Sequence, residues 1–167
     1  MGEKLTKSDV NKIKEEIENR KLVIRKKAIA DVQEARSHGD LSENFEYHAA
    51  KQFKNQNESR IRYLEKVLKY AEVVDDSSNS DEVGLYKTVT VHFIEDDEDA
   101  TYRIVTSIRG NTTKGLISIE SPIGKALMGH KEGEEVTVKV NDSYSYKLRI
   151  VKIENTEEDD SIEIKKY

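Results

Sequence analysis

Between Glu3 and Val83 the chain carries a single glycine, Gly39, and no proline. A stretch with so few helix breakers can stay helical, and it reverses most readily at the residue that tolerates positive φ. Before Gly39, the residues Val10, Ile13, Ile17, Ile24, Ala28, Val32 and Ala35 recur at threes, fours and sevens. After it, Ala50, Phe53, Asn57, Ile61, Leu64, Leu68 and Ala71 do the same. Each stripe is the seam of a helix packed on one neighbour, with charges of alternating sign on the solvated face. Ser8 or Thr6 can cap the first helix, and the second starts between Ser42 and Phe45. At 1.5 Å per residue, about 30 residues give each helix a length of roughly 45 Å. The short connection makes the pair antiparallel. Asn57 is a polar seam residue of the kind that fixes register at a cost in stability. Residues 1–76 are therefore expected to form an antiparallel coiled-coil hairpin.

The period then changes. The polar run Asp75–Asp81 has no apolar rhythm, and residues 77–83 read as a linker. In 84–154, Thr88–Phe93, Tyr102–Val105, Leu116–Ile119, Glu135–Val140 and Tyr146–Ile153 read as strands. The acids from Glu95 to Asp99 read as a solvated loop, and Asn141–Ser143 as a hairpin turn. One short helix is expected after Ser121 as N-cap, with Pro122 at its first position and Gly129 beyond its end. Residues 155–167 are expected to form an acidic tail in which Ser161–Ile164 either adds a strand or stays disordered. The fold class is α+β: a coiled-coil hairpin followed by a small domain with an antiparallel sheet and one short helix.

Charge separates the two parts. Residues 1–75 hold 16 Lys and Arg against 14 Asp and Glu, and the remainder holds 12 against 19. An arm so mildly basic is no general nucleic-acid clamp, and weak or no binding to free RNA or DNA is expected. The absence of cysteine excludes disulfides, thiolate metal sites and a Cys nucleophile. No apolar run approaches the roughly 18 residues of a membrane span, and the N-terminus lacks the apolar core of a signal peptide. The expected location is cytoplasmic, without membrane association.

The chemistry gathers at the reversal, Ser37-His38-Gly39-Asp40-Leu41-Ser42-Glu43-Asn44-Phe45-Glu46-Tyr47. Asp40, Glu43 and Glu46 place carboxylates at the tip of the hairpin. In one reading Asp40 is an N-cap and Glu43 completes a capping box at the start of the second helix. In the other, Asp40 and Glu43 are oxygen ligands for a hard cation such as Mg²⁺. Two carboxylates make an incomplete site, which works only where another molecule supplies the rest. His38 and His48 flank the tip, but two histidines fall short of a zinc site. An exposed tip cannot enclose a substrate, so an autonomous active site is not expected.

The segment Glu34–Lys51, with Gly39-Asp40-Leu41-Ser42-Glu43-Asn44 at its centre, resembles the tip signature of the bacterial Gre transcript cleavage factors. Ser118-Ile119-Glu120-Ser121-Pro122-Ile123-Gly124-Lys125-Ala126-Leu127-Met128-Gly129 resembles their second signature. Both stand in the family's order, and the likeness covers nearly the whole chain. It is closer to GreA than to GreB, because the arm is not strongly basic. The resemblance implies an FKBP-like globular domain that docks at the RNA polymerase secondary channel, with the coiled coil entering the channel. It implies that Asp40 and Glu43 help hold Mg²⁺ in the polymerase active site, with no cofactor stably bound to the factor itself. Cleavage of the 3′ end of backtracked nascent RNA follows, performed by the polymerase. The resemblance further implies that Asn44 and Tyr47 support the tip and that Ser121, Pro122 and Ile123 lie in the docking region. Phe45 departs from the pattern, which usually has a small residue there. The first helix lacks a proline that some members carry, and the acidic tail runs beyond the family's usual end. Two alternatives stand beside this reading: a Gre-like channel binder that inhibits polymerase without cleavage, and a coiled-coil interaction or chaperone-like module.

Overall fold

A computed structural model describes residues 2–39, 44–157 and 161–165. The chain packs as two units, an arm of residues 1–2 and 8–71 and a body of residues 3–7 and 72–167.

In the arm, helix α1 (Lys7–Asn19) passes through a π-helical turn (Arg20–Ile24) into α2 (Arg25–Arg36), and α3 (Phe45–Tyr70) returns. The seam expected from the sequence is largely the buried face: Ile13, Ala28, Val32, Ala35, Ile61 and Leu64 are buried. Phe53 is the exception. It is 49% exposed, whereas its neighbour Lys54 is half-buried.

The π turn has an identifiable partner. In it the backbone N–H of Arg25 reaches the carbonyl of Arg20, one residue further back than in an α-helix. The Arg20 carbonyl also accepts from Asn57 Nδ2 at 3.2 Å, and Arg20 Nη1 donates to Asn57 Oδ1 at 2.9 Å. Asn57 is only 2% exposed, so both halves of its amide must be bonded. Beside it, Glu16 accepts from Arg20 Nε and Arg60 Nε, each at 2.8 Å. Arg25 grips Glu58 through two hydrogen bonds, at 2.9 and 2.7 Å. The seam of this hairpin is thus apolar towards the tip and polar at Asn57, where lateral displacement would break paired bonds.

The body takes in residues 3–7, ahead of most of the arm. Strand β1 (Lys4–Leu5) pairs in parallel with β2 (Glu72–Val73), two short segments the sequence reading did not identify. The main sheet comprises β3 (Thr88–Phe93), β4 (Glu98–Val105), β5 (Leu116–Ser118), β6 (Glu135–Lys139) and β7 (Ser145–Glu154), in the order β5-β4-β3-β7-β6. All neighbours are antiparallel except β4 and β5. β4 starts earlier than expected: Glu98 and Asp99 belong to the strand, opposite Phe93 and His92. His92 Nδ1 lies 2.6 Å from Asp99 Oδ1, so a cross-strand partner compensates the acid. β3 and β7 shift register between Thr90 and Val91, so Val151 has no partner in the ladder and lies 45% exposed. Val89, Val91, Ile104, Val136, Val138, Leu148 and Ile150 point to one face, where α4 (Pro122–Leu127) covers them with Leu127.

The tail does not form the strand that the sequence allows. Ile162 instead joins Leu85, Tyr86 and Val105 in a second small core. Lys165 N donates to the Ile108 carbonyl at 2.8 Å, and Arg109 Nη1 to that of Ile162 at 3.0 Å.

Candidate functional site

Helix α2 closes in a tight turn: Ser37 N and His38 N donate to the carbonyls of Glu34 and Ala35 at 3.0 and 3.1 Å. Gly39 follows at φ = 145°, in the region that favours glycine. Asp40, Leu41, Ser42 and Glu43 lie outside the described residues. The chain resumes at Asn44, the N-cap of α3, whose Oδ1 accepts from Tyr47 N at 3.0 Å. Its Nδ2 donates to the carbonyl of Ala35 at 2.6 Å. One side chain therefore satisfies an orphan donor of α3 and adds a further hydrogen bond to a carbonyl in the last turn of α2.

This geometry corrects the capping reading. The N-cap of α3 is Asn44, not Asp40, and the third helical position, where a capping-box acid belongs, is Tyr47. Glu46 is also accounted for. His38 Nδ1 lies 2.7 Å from Glu46 Oε2, and this hydrogen bond, with the carboxylate charge, raises the histidine's pKa. Among the described residues no cluster of three or more His, Asp or Glu is arranged to hold a metal.

Tyr47 sits behind the tip, packed among Val32, Ala35 and Ala50. The guanidinium of Arg36 lies 5.5 Å from its ring centre and the Lys51 ammonium 6.0 Å. Hydrogen bonding from Arg36 lowers the phenol's pKa; partial burial opposes this, and the charges of Lys51 and Lys54 add to it. The sequence reading missed this cationic collar. Its signal was the spacing of Tyr47, Lys51 and Lys54, which share a helix face.

On the body, Ser121 caps α4: its Oγ accepts from Gly124 N at 3.1 Å and donates to the carbonyl of Ser118 at 2.6 Å. A Cβ on Gly124 would stand 2.0 Å from that same carbonyl, so only glycine lets the helix lie this close to the end of β5. Of the three residues expected in the docking region, Ile123 packs against the sheet core and Pro122 is exposed. Ser121 and Ile123 are committed to the turn, and Pro122 is presented outward.

Two family models match the chain. One described as transcription elongation factor, N-terminal, matches residues 3–73, and one described as transcription elongation factor, GreA/GreB, C-term, matches residues 77–155. The chain is 43% identical over 137 residues to transcription elongation factor GreA of Chloroherpeton thalassium, covering 81% of this chain and 87% of the relative. It is 42% identical over 153 residues to the protein of the same name from Streptococcus gordonii, covering 91% and 95%. Among solved structures, the GreA factor homolog Gfh1 of Thermus thermophilus is 28% identical, with 93% of this chain and 100% of that chain covered and a TM-score of 0.43.

Proposed function

We propose, from the premise that the chain belongs to the GreA/GreB family of transcription elongation factors, that it stimulates RNA polymerase to cleave backtracked transcripts. The body docks on the polymerase through the turn that presents Pro122, and the arm carries the tip into the secondary channel. Asp40 and Glu43 are the residues that would complete the coordination of Mg²⁺ held in the polymerase active site. There the metal supplies Lewis acidity for hydrolysis of a phosphodiester near the RNA 3′ end. The factor contributes carboxylates and position, and the polymerase contributes the rest of the site, so the chain is not itself a nuclease.

The observation that carries this reading is the sorting of polar groups at the tip. Asn44 does the capping, and Glu46 is engaged with His38. No capping task at α3 is left for Asp40 or Glu43. The donor set also suits the metal, since hard carboxylate oxygens match Mg²⁺ and an incomplete set suits a shared ion. A helical reach of roughly 45 Å, at 1.5 Å per residue, matches an active site deep in a channel.

The test is release of short 3′ RNA fragments from a backtracked elongation complex on adding the purified chain. An inhibitory channel binder would slow elongation and release none. A coiled-coil or chaperone-like module would not bind polymerase at all, and co-purification with polymerase separates that outcome.

A further inference from the structure

The tail has no part in the reaction as proposed, and the match to the family ends before it, at residue 155. Residues 161–165 are nevertheless built into the body. Ile162, 9% exposed, fills the second small core beside Leu85, Tyr86 and Val105. Its carbonyl accepts from Nη1 of the buried Arg109 at 3.0 Å. Lys165 N donates to the carbonyl of Ile108 at 2.8 Å. Both bonds end on the same 3₁₀ turn, Ser107–Arg109. That turn and that small core also hold the base of the segment presenting Pro122. Ile119 packs on both apolar clusters of the body, the sheet core and the small core that Ile162 completes. Its N–H donates to the carbonyl of Val105 at 2.9 Å. Ser118 Oγ lies 2.9 Å from Ser107 Oγ, and the Ser118 carbonyl accepts from Ser121 N at 3.1 Å. Ser118 and Ile119 are thus shared, tied on one side to the cap of α4 and on the other to groups that the tail engages.

We propose that Ile162 is a positioning residue for polymerase docking: by completing the small core it fixes Ile119 and, through it, the turn that presents Pro122. This rests on the reading that this turn is the docking surface. A close-packed interior transmits displacement instead of absorbing it. Truncating Ile162 empties the recess lined by Leu85, Tyr86 and Val105, and Ile119 loses packing on that side. The turn then keeps its own hydrogen bonds but loses its fixed place. The cost falls on affinity for polymerase, while the chemistry at the tip of the arm is untouched.

The experiment compares the full-length chain with Ile162→Ala, Ile162→Ser and Ile162→Val, at a temperature where melting curves show every protein folded. Ile162→Ala should weaken polymerase binding by about 5-fold, within the range of coupling carried by packed side chains, and Ile162→Ser should weaken it further. Ile162→Val keeps the branched shape and should bind within about 2-fold of the unmodified chain. Transcript cleavage at saturating factor should be unchanged, so the loss appears in the half-saturating concentration alone. In a Pro122→Glu background the loss from Ile162→Ala should shrink to about 2-fold or less, because the two residues act through one contact. Hydrogen exchange of the factor alone reads the turn directly. Ile162→Ala should quicken exchange at the N–H groups of Ile119, Ser121 and Gly124 by about 5-fold relative to those of β6. Unchanged affinity, a loss that adds in full to that of Pro122→Glu, or exchange quickened equally throughout the body would overturn the proposal and leave Ile162 a core residue only. Exchange quickened at the turn, with normal binding by Pro122→Glu, would keep the brace and remove the turn from the docking surface. Weak binding by Pro122→Glu, with none of these effects from Ile162→Ala, would do the reverse.

Discussion

Asn44 donates its side-chain amide to the carbonyl of Ala35 at 2.6 Å, so the residue that caps α3 also closes the end of α2. Asn44→Ala removes both bonds. A lost N-cap costs about 1 kcal/mol, and the cross-hairpin hydrogen bond adds roughly 1 kcal/mol more. Asn44→Asp keeps the cap acceptor but sets a carboxylate against the Ala35 carbonyl, so it should recover only the cap portion. Urea unfolding followed by helical circular dichroism measures both variants. Equal stability of Asn44→Asp and the unmodified chain would show that the Ala35 bond contributes nothing.

A second prediction concerns the polar layer of the arm. Burial pushes the Glu16 carboxyl upward, yet hydrogen bonds and charge from Arg60 and Arg20 together bring its pKa below the ordinary 4.5. A native value below the unfolded one gives stability that is present above pH 4.5 and lost as pH falls through the native value. Glu16→Gln should cost about 1–2 kcal/mol at pH 7, between exposed and fully buried pairs, because the carboxylate is partly exposed. The gap between variant and unmodified chain should narrow as pH is lowered towards 3, as read by thermal melts. A gap independent of pH would mean that Glu16 acts through packing and not through charge.

Much of the fold was legible because it repeats a local rule. The seam from Ile13 to Ala35 follows helical spacing, β6 alternates cleanly, and Ser121-Pro122 announces α4. What escaped depended on partners distant in sequence. The π turn at Arg20–Ile24 is matched by Asn57 on another helix, and the Lys4–Leu5 strand exists because Glu72–Val73 lies beside it. Glu98 and Asp99 read as loop because of their charge, and only the register with β3 makes them strand. Ile162 looked like part of a polar tail, and its burial depends on an apolar recess formed by Leu85, Tyr86 and Val105. At the tip the types of residue were evident, but their division of labour was not. Three acids and one asparagine compete for similar roles on paper, and the distances give the cap to Asn44 and an ion pair to Glu46.

The turn proposed to dock yields a third prediction, sharpened by the unequal burial of its residues. Ile123 is packed on the sheet core, so a charge there would disturb the fold before it tested any interface. Pro122 is exposed at the first position of α4, where an acid is well tolerated next to the helix N-terminus. Pro122→Glu should leave the melting temperature of the body nearly unchanged and weaken polymerase binding by about 10-fold, the effect of losing about 1.4 kcal/mol at a contact. Unchanged affinity in a direct binding titration would move the docking surface away from this turn.

The decisive prediction concerns Asp40 and Glu43. With Asn44 as the cap of α3, neither acid is needed to start that helix. Asp40→Asn and Glu43→Gln keep size and hydrogen-bonding capacity while each removes one negative charge from the tip. If the two side chains serve only local structure, both variants should cleave as well as the unmodified chain. If they complete a shared Mg²⁺ site, each should lower stimulated cleavage by at least 100-fold, on the scale of a lost catalytic electrostatic contact. Helical content and polymerase affinity should be unchanged if, as proposed, docking belongs to the body. A variant that still docks but cannot cleave occupies the channel, so each should compete with the unmodified factor and inhibit it in mixed assays. Raising Mg²⁺ should restore part of the activity, since a weakened site refills by mass action. The measurement is 3′-fragment release from a backtracked complex across a Mg²⁺ titration, with affinity measured in parallel. Full cleavage by both variants would remove the two carboxylates from the reaction, whatever the docking result.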